Sequence, residues 1–244
     1  MTTYRLDLAY DGTGFSGWAL QPGRRTVQGE LEAALQQLFG ERIGLTVAGR
    51  TDAGVHALGQ VASFATFREP PDDLAYSLNA VTGPDVAIAS ATEVEDGFNA
   101  RRDARSRRYR YRLEMGWPPS PFERGRALNW RHRFDRPAVE ECAAALVGVH
   151  DFTAFTPTDS EHSQFERRVV AAEWSEESER ILRFEIEADA FMRSMVRSIV
   201  GTLLEVASGR RSVEGFRELL RGAARSEAGD TAAARGLYLI AVDY

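Results

Sequence analysis

Lysine is absent from this chain of 244 residues, in which all 30 basic residues are arginines. The chain therefore cannot form a lysine Schiff base with a substrate or with pyridoxal phosphate, and it cannot carry the lysine of a P-loop. Arginine stays charged and its planar guanidinium matches phosphate, so the bias suits an RNA-binding protein. A genome that favours arginine codons explains the same bias equally well.

Cysteine and histidine are also scarce. Cys142 is the only cysteine, which excludes an intrachain disulfide and a thiolate metal cluster. Its place in an Ala-rich helical stretch predicts a small buried thiol rather than a nucleophile. The four histidines lack the spacing of metal ligands and are His56, His132, His150 and His162. A metal site is therefore not expected.

Long hydrophobic runs are missing as well, since no apolar stretch approaches the roughly 18 residues that span a membrane. The N-terminus lacks a signal-peptide pattern, so a cytoplasmic location is expected. Hydrophobic residues make up 43% and charged residues 27% of the chain. Its length and composition suit a soluble protein with one large domain or two modest ones.

The overall charge and its distribution point in opposite directions. A net charge of −6 and a pI near 5.4 argue against a nucleic-acid partner. The stretch 101–112 is nevertheless strongly basic and contains Arg101, Arg102, Arg105, Arg107, Arg108, Arg110 and Arg112. Because salt screens distant charges, a local basic surface on an acidic protein can still bind a polyanion.

The pattern of apolar residues predicts two halves with a similar order of elements. Alternation predicts strands over 4–10, 43–48, 59–66, 86–94, 108–115, 168–176, 181–189 and 236–244, the sixth and seventh as a hairpin. Helical spacing predicts helices over 26–40, 72–83, 137–148, 190–209 and 213–222. The expected fold class is α+β, with pseudo-duplicated halves at 1–104 and 105–244 whose mixed or antiparallel sheets flank a central cleft.

The loop sequence GRTDAG, residues 49–54, places Arg50 and Asp52 at the end of a predicted strand. Asp52 has an ordinary interpretation as a helix cap or Asx-turn, which local sequence favours. In the alternative, the neighbouring guanidinium orients the carboxylate and the flanking glycines allow an exposed, tight backbone. An ionised carboxylate so displayed can act as a nucleophile or base.

Two further arginine patterns also allow two interpretations. On the predicted strand 108–115, Arg108 and Arg110 face one side while Tyr109 faces the other. This pattern is typical of a solvated face over a packed core, or of a tyrosine that stacks on a base beside phosphate-binding arginines. Arg193 and Arg197, four apart on a predicted helix, are either solvent-exposed or line the cleft near Asp52.

Together these stretches resemble the tRNA pseudouridine synthase A family. The resemblance rests on YDGTGFSGW, TVQGELEAAL, AGRTDAGVHALGQV, FNARRDARSRRYRY, HDFTAF, AFMRSMVRSIVGTLLEV and GLYLIAVDY, which occur in that order. It covers nearly the whole chain. Three positions depart from the family pattern, namely Ala19, Ser194 and Thr156, and they bear on fine substrate contacts.

The resemblance implies the pseudouridine synthase fold and an isomerase that converts uridine to pseudouridine in the anticodon stem-loop of tRNA. It implies that Asp52 is the catalytic carboxylate, that Arg50 and Arg197 are its cationic partners, and that Tyr109 stacks on the uracil. Arg101, Arg107, Arg108 and Arg110 are then candidates for RNA binding. No cofactor or metal is expected, and the partners are tRNA and a second copy of the chain.

Two other functions remain alternatives at this point. A catalytically silent RNA-binding module would use the same basic surface without needing the Asp52 carboxylate. A nucleotide-hydrolysing enzyme would use the Gly-rich stretch 11–18, but that stretch matches no phosphate-binding motif and the chain lacks lysine.

Overall fold

A computed structural model describes residues 1–160 and 163–244, so Glu161 and His162 lie outside the described residues. The described chain forms two compact units. One consists of Met1–Arg105 together with Tyr238–Tyr244, and the other of Ser106–Leu237. Strands and α-helices are numbered below in chain order.

The first unit is built on a sheet with the order β4-β1-β3-β10. Its strands are Thr2–Tyr10 (β1), Thr46–Val47 (β2), His56–Thr66 (β3), Val86–Val94 (β4) and Leu237–Asp243 (β10). β1 is antiparallel to β3 and β4, β2 is antiparallel to β3, and β10 is parallel to β3. The alternation in β1 places its apolar side chains in the core, as the sequence predicts.

Two helices complete this unit, Val27–Phe39 (α1) and Leu74–Val81 (α2). Thr26 caps α1 by accepting a hydrogen bond from the backbone N–H of Gly29. Gly40 ends α1 at φ 72°, a left-handed conformation that favours glycine. Both ends of this helix are as the sequence predicts.

The second unit has a sheet with the order β5-β9-β8-β7. Its strands are Ser106–Met115 (β5), Leu128–Trp130 (β6), Gly148–Asp151 (β7), Glu166–Ser178 (β8) and Ile181–Ala188 (β9). The four strands of the sheet are antiparallel and β6 is parallel to β5. Its helices are Arg136–Leu146 (α3), Met195–Ala207 (α4) and Val213–Glu218 (α5).

The structure confirms the α+β prediction and the β8–β9 hairpin. Each unit combines mainly antiparallel strands with one parallel pairing and with its own helices. The short strands β6 and β7 were not predicted, because three or four residues are too few to show alternation. The predicted strand 43–48 is reduced to Thr46–Val47.

The predicted start of the long helix at 190 is wrong, because α4 begins at Met195. The preceding Ser194 has φ 57°, outside the right-handed helical region, and the N–H of Met195 donates to the carbonyl of Met192 in a turn. Arg193 therefore precedes the helix and forms an ion pair with Asp159 instead of sharing a helix face with Arg197.

The structure confirms the prediction that Cys142 is a small buried thiol. It lies on α3 without exposed surface, and burial raises the pKa of its thiol to about 12. A thiol with this pKa stays protonated near neutral pH and is a poor nucleophile. Within 1–160 and 163–244, no helix combines the length and apolar character needed to cross a membrane.

Candidate active site

The Asp52 loop, residues 48–55, connects β2 to β3 in the first unit. Arg50 is exposed and Asp52 is half-buried. The N–H of Val55 donates to the carbonyl oxygen of Asp52 over 3.1 Å, and Gly54 in this turn has φ 76°. This is a backbone turn. It tests neither the helix-cap or Asx-turn interpretation, which concerns the Asp52 side chain, nor a catalytic role of the carboxylate.

Residues 11–18 bind this loop through their backbone. The N–H of Trp18 donates to the carbonyl of Thr51 over 3.0 Å, and the N–H of Gly54 donates to the carbonyl of Phe15 over 3.3 Å. Gly17 has φ 94°, and a Cβ there would lie 2.8 Å from the carbonyl oxygen of Thr51. The Gly-rich stretch that suggested a phosphate site therefore supports the Asp52 loop.

A second contact fixes the end of the loop where β3 begins. The N–H of Gly12 donates to Nδ1 of His56 over 3.1 Å, and a carboxylate oxygen of Asp11 lies 3.2 Å from the same nitrogen. His56 is 3% exposed, and its ring stacks on Tyr238 of β10 at a centroid distance of 4.6 Å. A Cβ on Gly12 would lie only 2.0 Å from the carbonyl oxygen of Val55.

These supports were missed by sequence reasoning, which assigned no role to Gly12, Gly17 or His56. For the two glycines a signal was present, because glycine has no Cβ and allows backbone segments to approach closely. The partners of these residues, however, lie far away along the chain, as for Gly12 and His56, which are 44 positions apart, and cannot be identified from local sequence.

In the second unit, β5 carries Tyr109 at its buried face. Tyr109 is 7% exposed, and its ring contacts Phe191 edge to face with the ring centroids 5.0 Å apart. Tyr111 and Leu113 on the same face have no exposed surface, so the predicted alternation of the strand is confirmed. Tyr109 thus belongs to an ordered aromatic pair.

Arg108 and Arg110 of β5 face the other side and pair with glutamates. Arg108 contacts Glu187 and Arg110 contacts Glu185, each at an N–O distance of 2.7 Å. Both glutamates lie on β9, directly across the antiparallel register. These carboxylates neutralise much of the positive charge that the sequence places on this strand.

The other two arginines assigned to RNA binding lie in different surroundings. Arg107 is 8% exposed and donates to the carbonyl of Asp189 over 2.8 Å, a structural contact. Arg101 is exposed and lies in the first unit, outside β5. The basic stretch 101–112 is therefore not one uniform cationic surface.

Arg197 is the arginine of α4 and is half-buried. Its Nε donates to the carbonyl of Ala232 over 2.8 Å, and the N–H of Ala232 donates back to the carbonyl of Arg197 over 3.0 Å. This reciprocal pair fixes the guanidinium against the segment that precedes β10. Its orientation is therefore defined before any ligand binds.

Among residues 1–160 and 163–244, three or more His, Cys, Asp or Glu side chains do not come together in a group suited to hold a metal ion.

Comparison with known proteins gives a consistent result. The family model described as tRNA pseudouridine synthase matches residues 8–101 and 142–244. Proteins named tRNA pseudouridine synthase A are similar over the whole chain: that of Acetivibrio thermocellus is 39% identical and that of Moorella thermoacetica 42% identical, each covered over its full length.

A further relative with the same name, from Myxococcus xanthus, is 40% identical over all of this chain and 92% of its own length. Among solved structures, a chain of a Cbf5-Nop10-Gar1 complex is similar over 82% of this chain and 54% of its own, with 11% identity and a TM-score of 0.34. On the family match and the curated relatives, the chain belongs to the tRNA pseudouridine synthase family.

Proposed function

We propose that this chain isomerises uridine to pseudouridine in the anticodon stem-loop of tRNA, with Asp52 as its catalytic carboxylate. The observation that carries the proposal is the family match, whose first segment, 8–101, contains both the Asp52 loop and its supporting residues 11–18. The full-length relatives named for this activity support the same assignment.

The reaction sets clear chemical requirements. The N1–C1′ bond breaks, the uracil rotates, and a C5–C1′ bond forms, while C5 gives up its proton and N1 takes one up. The product is therefore an isomer of uridine and no redox partner is needed. The target base must leave the stack to be reached. An ionised carboxylate held in a fixed loop acts on the ribose or the uracil as nucleophile or base.

The other site residues are proposed to assist this carboxylate. Arg50, two positions before Asp52 and exposed, suits a role in filling the position that the extruded base vacates. Arg197 contributes a cation whose orientation is fixed by Ala232. Tyr109 contributes a ring for stacking on the uracil, and its edge-to-face contact with Phe191 defines the plane of that ring.

Replacement of Tyr109 separates stacking from hydroxyl chemistry. If the ring is what the reaction needs, Tyr109→Phe should keep most of the turnover, whereas Tyr109→Ala should lose about tenfold or more, since base–aromatic stacking contributes about 1–3 kcal/mol. The single-turnover rate on a tRNA transcript measures both. A phenylalanine variant as inactive as the alanine variant would reject the stacking role.

Binding of tRNA is proposed to depend on exposed arginines, Arg101 foremost. Arg108 and Arg110 are already paired with glutamates, and Arg107 is buried. Because Arg101 is exposed, we expect Arg101→Ala to weaken tRNA binding and to reduce the salt dependence of the affinity by about one phosphate contact. Equilibrium binding at several salt concentrations tests this, and an unchanged slope for Arg101→Ala would contradict it.

The chain is further proposed to act in the cytoplasm as a homodimer, without a cofactor or metal, as its resemblance to the family implies. In solution the purified protein should then have twice the 27.1 kDa mass of one chain. Light scattering after size-exclusion chromatography measures this mass. A protein that is active at 27.1 kDa would disprove the dimer requirement.

A further inference from the structure

A buried chain of polar side chains ends beside Asp52. The Nε2 of Gln60 donates to the Tyr10 hydroxyl over 3.2 Å, and this hydroxyl lies 2.8 Å from Oγ1 of Thr51. Gln60, Tyr10 and Thr51 are 0%, 4% and 7% exposed. The three come from β3, from the end of β1 and from the loop itself, so they connect the sheet to the loop.

Both the amide nitrogen and the amide oxygen of Gln60 make hydrogen bonds. Nε2 of Gln60 donates to both the Tyr10 hydroxyl and the carbonyl of Gly49, the latter over 2.7 Å, and Oε1 accepts from the N–H of Val61. The Tyr10 oxygen accepts from Gln60, and in its contact with Thr51 either hydroxyl can donate. Burial raises the pKa of Tyr10 to about 12, so the phenol keeps its proton at neutral pH.

The hydrogen-bonded side chains of Gln60, Tyr10 and Thr51 fix the loop on both sides of Arg50. Gln60 binds the carbonyl of Gly49, and Tyr10 binds the side chain of Thr51, whose own carbonyl accepts from Trp18. Asp52 follows directly. A catalytic group requires its geometry to be fixed to within about half an ångström, and supporting hydrogen bonds provide this.

We propose that Gln60, Tyr10 and Thr51 are positioning residues that fix the loop backbone from Gly49 to Thr51 and thereby aim the Asp52 carboxylate. The proposal rests on the proposed role of Asp52 in catalysis. The three side chains take no part in the chemistry themselves. Their loss should slow the chemical step and leave tRNA binding unchanged, because none of them is available at the surface.

Tyr10→Phe tests the proposal, with Tyr4→Phe as its matched control. Both tyrosines are buried on the same face of β1, but the hydroxyl of Tyr4 takes no hydrogen bond from or to the described residues. Tyr4 stacks on Phe64, a contact that phenylalanine keeps. Tyr10→Phe should lower the single-turnover rate about tenfold or more with tRNA affinity within twofold of wild type, since small displacements of reacting groups have large effects on rate. Tyr4→Phe should match wild type in both.

Thr51 offers a second test by conservative rescue. Thr51→Val removes the hydroxyl and should slow the reaction as Tyr10→Phe does, whereas Thr51→Ser keeps the hydroxyl and should restore most of the rate. Melting temperatures are measured for all variants. If Tyr10→Phe and Thr51→Val lose only thermal stability and react at the wild-type rate, the positioning role is disproved.

Asp52→Asn, measured beside these variants, distinguishes the two proposals. If Asp52→Asn is inactive while Tyr10→Phe reacts like wild type, the positioning role fails and the proposed catalytic role stands. If Asp52→Asn reacts like wild type, the proposed role of the carboxylate fails, and the positioning role fails with it.

Discussion

Asp52→Asn should lower the single-turnover rate of pseudouridine formation at least about 10³-fold, to about 0.1% or less of the wild-type rate. Asparagine has the same shape as aspartate, so the loop is kept, but its amide cannot ionise and cannot act as a nucleophile or base. Affinity for tRNA should stay within about twofold of wild type, since contacts between arginines and phosphates supply most of it. The rate is measured with purified protein and unmodified tRNA transcript, and the affinity by equilibrium binding of the same transcript.

Asp73→Asn is the matched control for this change. Asp73 lies in the same unit and caps α2 by accepting from the N–H of Tyr76, a role that asparagine fills as well. The control should therefore retain rate and affinity. If Asp52→Asn keeps the wild-type rate, the chain is better explained as an RNA-binding module without catalysis. A marked loss of affinity in Asp52→Asn would instead indicate a structural carboxylate.

Gly12→Ala is expected to give the second largest effect, on both stability and turnover. Its Cβ would lie 2.0 Å from the carbonyl oxygen and 2.5 Å from the carbonyl carbon of Val55. Both of these are backbone atoms, so the two segments must separate, at a cost of about 1–3 kcal/mol. The N–H of Val55 closes the turn at Asp52, so the separation displaces the carboxylate as well.

Gly14→Ala provides the control in the same 3₁₀ turn, Gly12–Gly14. A Cβ at Gly14 would meet the end of the flexible Arg25 side chain at 3.1 Å, and that side chain can move. Thermal unfolding and single-turnover rates of both variants are compared. Equal behaviour of Gly12→Ala and Gly14→Ala would show that the close approach to Val55 does not set the loop geometry.

Local sequence predicted those elements whose ends are decided by a few adjacent residues. Thr26 and Gly40 bound α1 because a capping hydroxyl and a left-handed glycine act within one helical turn. The alternation in β5 predicted which side Tyr109 faces, since side chains of a strand alternate strictly. The predicted α4 began five residues too early, at 190 instead of Met195. The local pattern gives no sign that Ser194 has a left-handed conformation, which ends the helix on its N-terminal side.

Pairings over long sequence separations were not predictable. β10 is parallel to β3 and for this reason belongs with the first unit, although it closes the chain. The pairing of charges was not predictable for the same reason, since Arg108 is neutralised by Glu187, which lies 79 residues away. A basic stretch read from sequence therefore overstates the positive charge available to a ligand.

In the candidate site, too, the sequence predicted the local feature and not the contacts between distant residues. The resemblance named Asp52, but the support of its loop by Gly12, His56 and the Gln60–Tyr10–Thr51 chain emerges only from contacts between distant residues. The fold and family were thus predictable, and the reason why the loop is held in one conformation was not.

Mapping of pseudouridine in an unmodified tRNA transcript after incubation with the purified chain tests the proposed function most directly. We predict new pseudouridine confined to the anticodon stem-loop, formed without added cofactor or metal. A transcript that remains unmodified after incubation with folded, tRNA-binding protein, or one modified only outside the anticodon stem-loop, would contradict it.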